Sequence, residues 1–177
     1  MNLINYLTDF LDNGKLSDIF KNEKYLKTIG FAGYIFGAFN LFLCLKVVNY
    51  IPGKLFSFLL FFLLILLANY TATAFSSLFM SMINHKDNSA LLFYSFGIAQ
   101  FIWLFFLPLL FLSNFSFFST FTLLVLILFI FKIKLIKELY NTSYKTACLS
   151  FIAPYFLILS IFFLSFFYSI YWLSSFI

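Results

Sequence analysis

Residues 88–131 run for 44 positions without a charged side chain. A helix that crosses the hydrocarbon of a bilayer needs about 20 apolar residues. The run is therefore long enough for two spans, and the polar pair Ser113-Asn114 divides it into an expected hairpin. Residues 146–177 form a second charge-free run of 32. Between them lies the most polar stretch of the second half, KIKLIKELYNTSYKT.

Composition removes the soluble alternative. The chain has 177 residues, of which 64% are hydrophobic and 31 are phenylalanine, and 10% are charged. Soluble domains carry about 25% charged residues. The expected fold class is an all-α polytopic membrane protein with five transmembrane helices, preceded by an N-terminal interfacial amphipathic helix. The expected division is a cytoplasmic segment, residues 1–27, and a membrane domain, residues 28–177. Its spans fall at about 28–45, 55–83, 89–112, 115–131 and 147–167. No cleavable signal peptide is expected, because the first long apolar run reads as a retained span.

All eleven basic residues are lysines, set in the gaps between apolar runs. Lys15, Lys21, Lys24, Lys27, Lys86, Lys132, Lys134, Lys137 and Lys145 fall on one side of a five-span layout, and Lys46 and Lys54 on the other. The positive-inside rule then puts the N-terminus in the cytoplasm and the C-terminus outside. Tyr168, Tyr171 and Trp172 become an aromatic belt on the outer face. The expected location is a bacterial cytoplasmic membrane, or alternatively the ER or Golgi membrane of a eukaryote. The net charge of +5 forms no basic stripe, so nucleic acid is not an expected partner. The expected partners are the bilayer with its anionic headgroups, a membrane or cytoplasmic protein, and a second copy of the chain. Cys44 and Cys148 fall near opposite membrane faces, which excludes a disulfide between them.

Two segments have alternative readings. In NLINYLTDFL, the residues Leu3, Ile4, Leu7, Phe10 and Leu11 share one helical face, which either anchors the segment in the interface or docks a partner. On the first span Gly30, Gly33 and Gly37 share a face that lets backbones approach, within the bundle or between subunits.

Asn40, Asn69 and Gln100 sit near the centres of their spans, and Thr73 and Ser76 share a face with Asn69. An amide in hydrocarbon costs several kcal/mol unless paired. These residues are either bonds between helices or a polar path for a neutral solute. No Asp, Glu, Lys, Arg or His falls in a proposed hydrocarbon core, which argues against proton relays and pumps. Pro108 and Pro154 are expected kinks.

Catalysis has little to stand on. His85 lies in the loop INHKDN without a metal-ligand set around it. No nucleophile motif, paired carboxylates or phosphate loop occurs. No enzyme activity, metal or cofactor is expected.

The polar stretch reads as a helix emerging from the membrane, ending at Asn141, with Thr142 or Ser143 capping the next. Lys132, Lys134, Lys137 and Lys145 are the candidate contacts for anionic lipid or a protein partner. Here LYNTSYKTACLSFIAPYFLI, residues 139–158, resembles the last loop and fifth span of the Yip family, the five-span Ypt/Rab-interacting membrane proteins. The resemblance is carried by Ser143, Lys145, Thr146, Ala147 and Pro154, with Tyr94 and Ser95 of FYSFGIAQF in support. Phe93 and Ile98 depart from the family's glycine and proline, and its Asp-Leu-x-Gly-Pro tail motif is missing. The resemblance implies a short bacterial-type member with a membrane-organising, trafficking-like or adaptor role. It transfers no GTPase-binding site. The alternative is a small transporter or channel subunit for a neutral solute.

Overall fold

The computed structural model describes residues 23–86, 88–112 and 116–174. The expected N-terminal amphipathic helix, the Ser113-Asn114 turn and Asp87 lie outside the described residues. Those described form helices joined by short turns: α1 (Glu23–Val47), α2 (Leu55–Met82), α3 (Ser89–Ala99), a 3-10 segment (Gln100–Phe105), α4 (Phe106–Leu112), α5 (Phe117–Tyr140) and α6 (Tyr144–Ser174). Five helical units are long and apolar enough to cross a membrane: α1, α2, the third span Ser89–Phe111, α5 and α6. Several run past the apolar stretches that mark them. α5 continues nine residues beyond Phe131 because lysine, glutamate and leucine are good helix formers.

Asparagine ends the helices at three turns. Asn49, Asn84 and Asn141 have φ of 60°, 64° and 47°, a left-handed conformation that asparagine tolerates better than most residues. At Asn141 the next helix starts almost at once. Ser143 Oγ accepts the backbone N–H of Thr146 at 3.2 Å, a side-chain cap on α6. Ser116 caps α5 in the same way, accepting from Ser119 N–H at 3.3 Å.

The two prolines act differently. Pro108 is the third residue of α4 and has no N–H for the carbonyl four residues back, that of Leu104, which lies in the 3-10 segment, where bonds run to the third residue instead. Pro154 lies inside α6, which continues through it as helix. Ahead of it Ala147, Ser150 and Phe151 are buried; beyond it Phe156, Leu159, Phe162 and Leu164 are at least half exposed.

The register of the bundle is simple. Asn40 bonds to Trp103, Asn69 to Lys132 and Ser77 to Tyr140, each pair 63 residues apart. α1 therefore runs parallel to the third span, and α2 parallel to α5. The first two spans and the next two are arranged as two hairpins of the same direction. A short motif recurs with them: Tyr34, Phe36, Gly37 and Asn40 in the first hairpin, Tyr94, Phe96, Gly97 and Gln100 in the second. The hairpins meet along glycines. A Cβ at Gly30 would overlap the Tyr94 carbonyl, one at Gly33 the Gly97 carbonyl, and one at Gly37 the Gln100 carbonyl. Only glycine allows two helix backbones so close.

Alternating directions bring Lys24, Lys27, Lys86, Lys134, Lys137 and Lys145 to one end, and Lys46 and Lys54 to the other. At the lysine-rich end the second loop touches the end of α5, with the His85 and Tyr140 rings 6.2 Å apart between centroids.

Candidate functional site

A chain of polar side chains crosses the interior where the two hairpins meet. Asn40 Nδ2 donates to the carbonyl of Trp103. Trp103 Nε1 donates to Gln100 Oε1 at 2.9 Å, and Gln100 Nε2 donates to Asn69 Oδ1 at 3.2 Å. Lys132 Nζ donates to the same Asn69 oxygen at 2.8 Å, and Asn69 Nδ2 donates to the carbonyl of Ile65 at 2.8 Å. All five side chains are buried. The 3-10 segment makes the centre of this chain possible. Side chains at i and i+3 eclipse in a 3-10 helix, so the Trp103 indole reaches back to Gln100. The Trp103 carbonyl, already bonded to Phe106 N–H in the 3-10 pattern, also takes the Asn40 amide.

Lys132 corrects one sequence expectation. It was expected at the lipid-facing corner with Lys134, Lys137 and Lys145. In the structure it is 5% exposed. The reason is its place on the buried stripe of α5, which runs Thr120, Leu124, Leu128, Lys132, Ile136 and Tyr140 at four-residue steps. The ammonium lies 4.8 Å from the centroid of the Phe96 ring. Among the described residues no carboxylate pairs with it. Its Nζ meets one amide oxygen and one aromatic face, both of which favour a cation.

The other lysines of that stretch stay near the surface. Lys145 is exposed, Lys134 half-buried, and Lys137 holds its ammonium 4.2 Å from the centroid of the Tyr144 ring. Thr73 is buried but turns back on its own helix, donating to the Tyr70 carbonyl at 2.9 Å, and does not join the amides. Ser76 does reach across: its hydroxyl donates to the Ser150 carbonyl at 3.0 Å, and the Ser150 hydroxyl donates to the Ser76 carbonyl at 3.1 Å. Tyr140 OH donates to Ser77 Oγ at 2.8 Å. The polar face of α2 thus bonds to the 3-10 segment, α5 and α6. Among the described residues every buried side-chain nitrogen and oxygen has a partner.

Trp103, Ser150 and the interior role of Lys132 were missed by sequence reasoning. The signal for Lys132 is its four-residue step from Leu128. For Trp103 it is the three-residue step from Gln100 just ahead of a proline. Comparison with protein-family models, with curated proteins and with solved structures finds no match.

Proposed function

We propose that the chain is an integral membrane protein whose lysine-rich end faces the cytoplasm, with the N-terminus inside and the C-terminus outside. It acts without catalysis, as a membrane-organising or adaptor protein of the kind the Yip resemblance implies. The observation that carries this reading is the separation of polar groups. The interior ones all have hydrogen-bond partners among the described residues, whereas Lys134, Lys137 and Lys145 stand at one end, placed to meet lipid or a partner. Insertion in a bilayer is supported by the outer surface. Leu55, Phe56, Leu59, Leu60, Leu63, Leu64 and Leu67 of α2 are each more than half exposed, an apolar surface that water would not tolerate. The test is to embed the protein in vesicles and measure tethering of phosphatidylglycerol vesicles. Replacing Lys134, Lys137 and Lys145 together by alanine should abolish tethering; unchanged tethering would overturn the role given to this face.

One observation favours the transport alternative. Lys132 joins Asn69 and Gln100 in the interior, and ionisable groups at such depth often mark solute pathways. Under that reading proteoliposomes would show solute flux that Asn69→Leu abolishes.

A further inference from the structure

Beside the glycine seam, α2 and α3 leave a cavity of about 420 Å³ between them, lined in part by Tyr94, whose backbone packs on Gly30. The space exists because Ala74 and Ala90 line it with small side chains. Around them stand the Tyr70, Phe93 and Tyr94 rings and the hydroxyl-bearing Thr73 and Ser89. The Phe93 ring is 6.2 Å from Tyr70 at 74° and 5.5 Å from Tyr94 at 72°, so both neighbours stand nearly upright to it. Behind it Tyr34 stacks at 4.9 Å. Tyr34 is fully buried and is fixed by its hydroxyl, which donates to the Phe93 carbonyl at 2.8 Å. Tyr70, by contrast, is 63% exposed. One wall of the cavity is therefore rigid and one wall is open to the surroundings.

The lining contains no charged side chain. Aromatic faces attract cations, and quaternary or primary ammonium groups are the ligands they recognise best. An anionic headgroup would find no counter-charge on these walls. Ser89 is the first residue of α3 and follows Lys86 of the loop by three positions, so one end of the cavity opens at the lysine-rich end of the bundle. A ligand with an ammonium for the rings and a phosphate for the lysine side matches this order of groups.

We propose that the cleft between α2 and α3 binds the ammonium headgroup of a zwitterionic phospholipid from the leaflet at the lysine-rich end. This rests on the membrane insertion proposed above. It is a different site from the lysine corner and has the opposite preference among lipids.

The test uses the full chain in nanodiscs holding equal amounts of phosphatidylethanolamine, phosphatidylcholine and phosphatidylglycerol. A photo-cross-linking phenylalanine replaces Leu78, which is 57% exposed and lies one helical turn beyond Ala74 toward the lysine-rich end, and the cross-linked lipids are identified by mass spectrometry. The zwitterionic lipids should dominate. Tyr70→Leu should lower their yield about tenfold, the effect of losing roughly one cation–π contact. Tyr70→Phe, which keeps the ring, should preserve it. Tyr70 is exposed enough for both variants to fold, whereas Phe93→Leu also removes a packed core contact. Equal labelling of phosphatidylglycerol, or a yield unaffected by Tyr70→Leu, would overturn the assignment. Release of the chain from membranes by alkaline carbonate would instead sink the membrane reading itself.

Discussion

Ser76 donates its hydroxyl to the one carbonyl in α6 that Pro154 leaves without its helical partner, that of Ser150. A proline at position i has no N–H for the carbonyl at i−4, and in hydrocarbon a carbonyl without a partner costs several kcal/mol. The Ser150 hydroxyl returns the bond to the Ser76 carbonyl, so the proline of one helix is matched to a serine in another. The pair also stands at the level where α6 stops burying side chains.

This arrangement makes the value of Ser76 depend on Pro154. Ser76→Ala alone should destabilise the protein by about 1 kcal/mol, the usual size of an interhelical hydrogen bond in a membrane. With Pro154→Ala the N–H of residue 154 supplies the missing donor, and Ser76→Ala should then cost roughly half as much. Thermal unfolding of the four variants in one detergent measures the coupling directly. Equal costs in both backgrounds would mean that the Ser150 carbonyl was not waiting for a donor.

The Lys132–Asn69 bond predicts a second asymmetry. Asn69→Leu strips the ammonium of its oxygen partner while leaving it buried, and should cost about 3 kcal/mol. Lys132→Met should cost much less, because Asn69 Oδ1 still accepts from Gln100 and the methionine fills the space beside Phe96. The double variant Asn69→Leu/Lys132→Met should be more stable than Asn69→Leu alone, since no charge is then left buried without a partner. A double variant less stable than either single would contradict a charge-driven cost.

Much of this interior can be read from the sequence residue by residue. Asn40, Asn69 and Gln100 are conspicuous because amides do not survive in hydrocarbon alone, and Asn141 is a plausible helix end because it accepts a left-handed backbone. The direction of their bonds is another matter. That Asn69 takes Lys132 and Gln100 together depends on the two hairpins lying parallel with a 63-residue offset. This is a tertiary fact: the Tyr-x-Phe-Gly motif recurs at a spacing of 60 residues and so does not give the register. Lys132 was misplaced because hydropathy ends the fourth span at the first lysine. Helical hydrogen bonding has no such boundary, and a lysine on the buried stripe stays on it. The 3-10 segment was hidden for a similar reason. Pro108 announces an irregularity, but whether the helix kinks or tightens depends on what the freed groups can reach.

The glycine seam is a third point of failure by design. Gly33 and Gly97 face each other so closely that a methyl on either meets a backbone carbonyl of the other helix rather than a movable side chain. Gly33→Ala and Gly97→Ala should each cost about 1–3 kcal/mol, the range for overpacking a closed interface. Gly53→Ala should be mild, because its Cβ would meet the far end of the Lys46 side chain, which can swing away. Fluorescence-detected size exclusion after graded heating would rank the three. Equal tolerance at all three positions would show that the seam can open.

The orientation has a direct check that uses exposed or half-buried residues at the two ends. Lys54 precedes α2 at the end that carries two lysines, and Lys137 belongs to the last turn of α5 at the lysine-rich end. Cys44 and Cys148 are both free thiols, so they are first replaced by alanine to give a silent background. Lys54→Cys and Lys137→Cys are then introduced singly and labelled in intact cells with a membrane-impermeant maleimide. The excess of lysines at the Lys137 end predicts that it is retained in the cytoplasm. Lys54→Cys should therefore label at once, and Lys137→Cys only after the membrane is permeabilised. The reverse pattern would invert the protein, moving the lysine corner and the ammonium cleft to the outer leaflet. Labelling of both positions from outside would break the alternation of the helices on which the five-span arrangement rests.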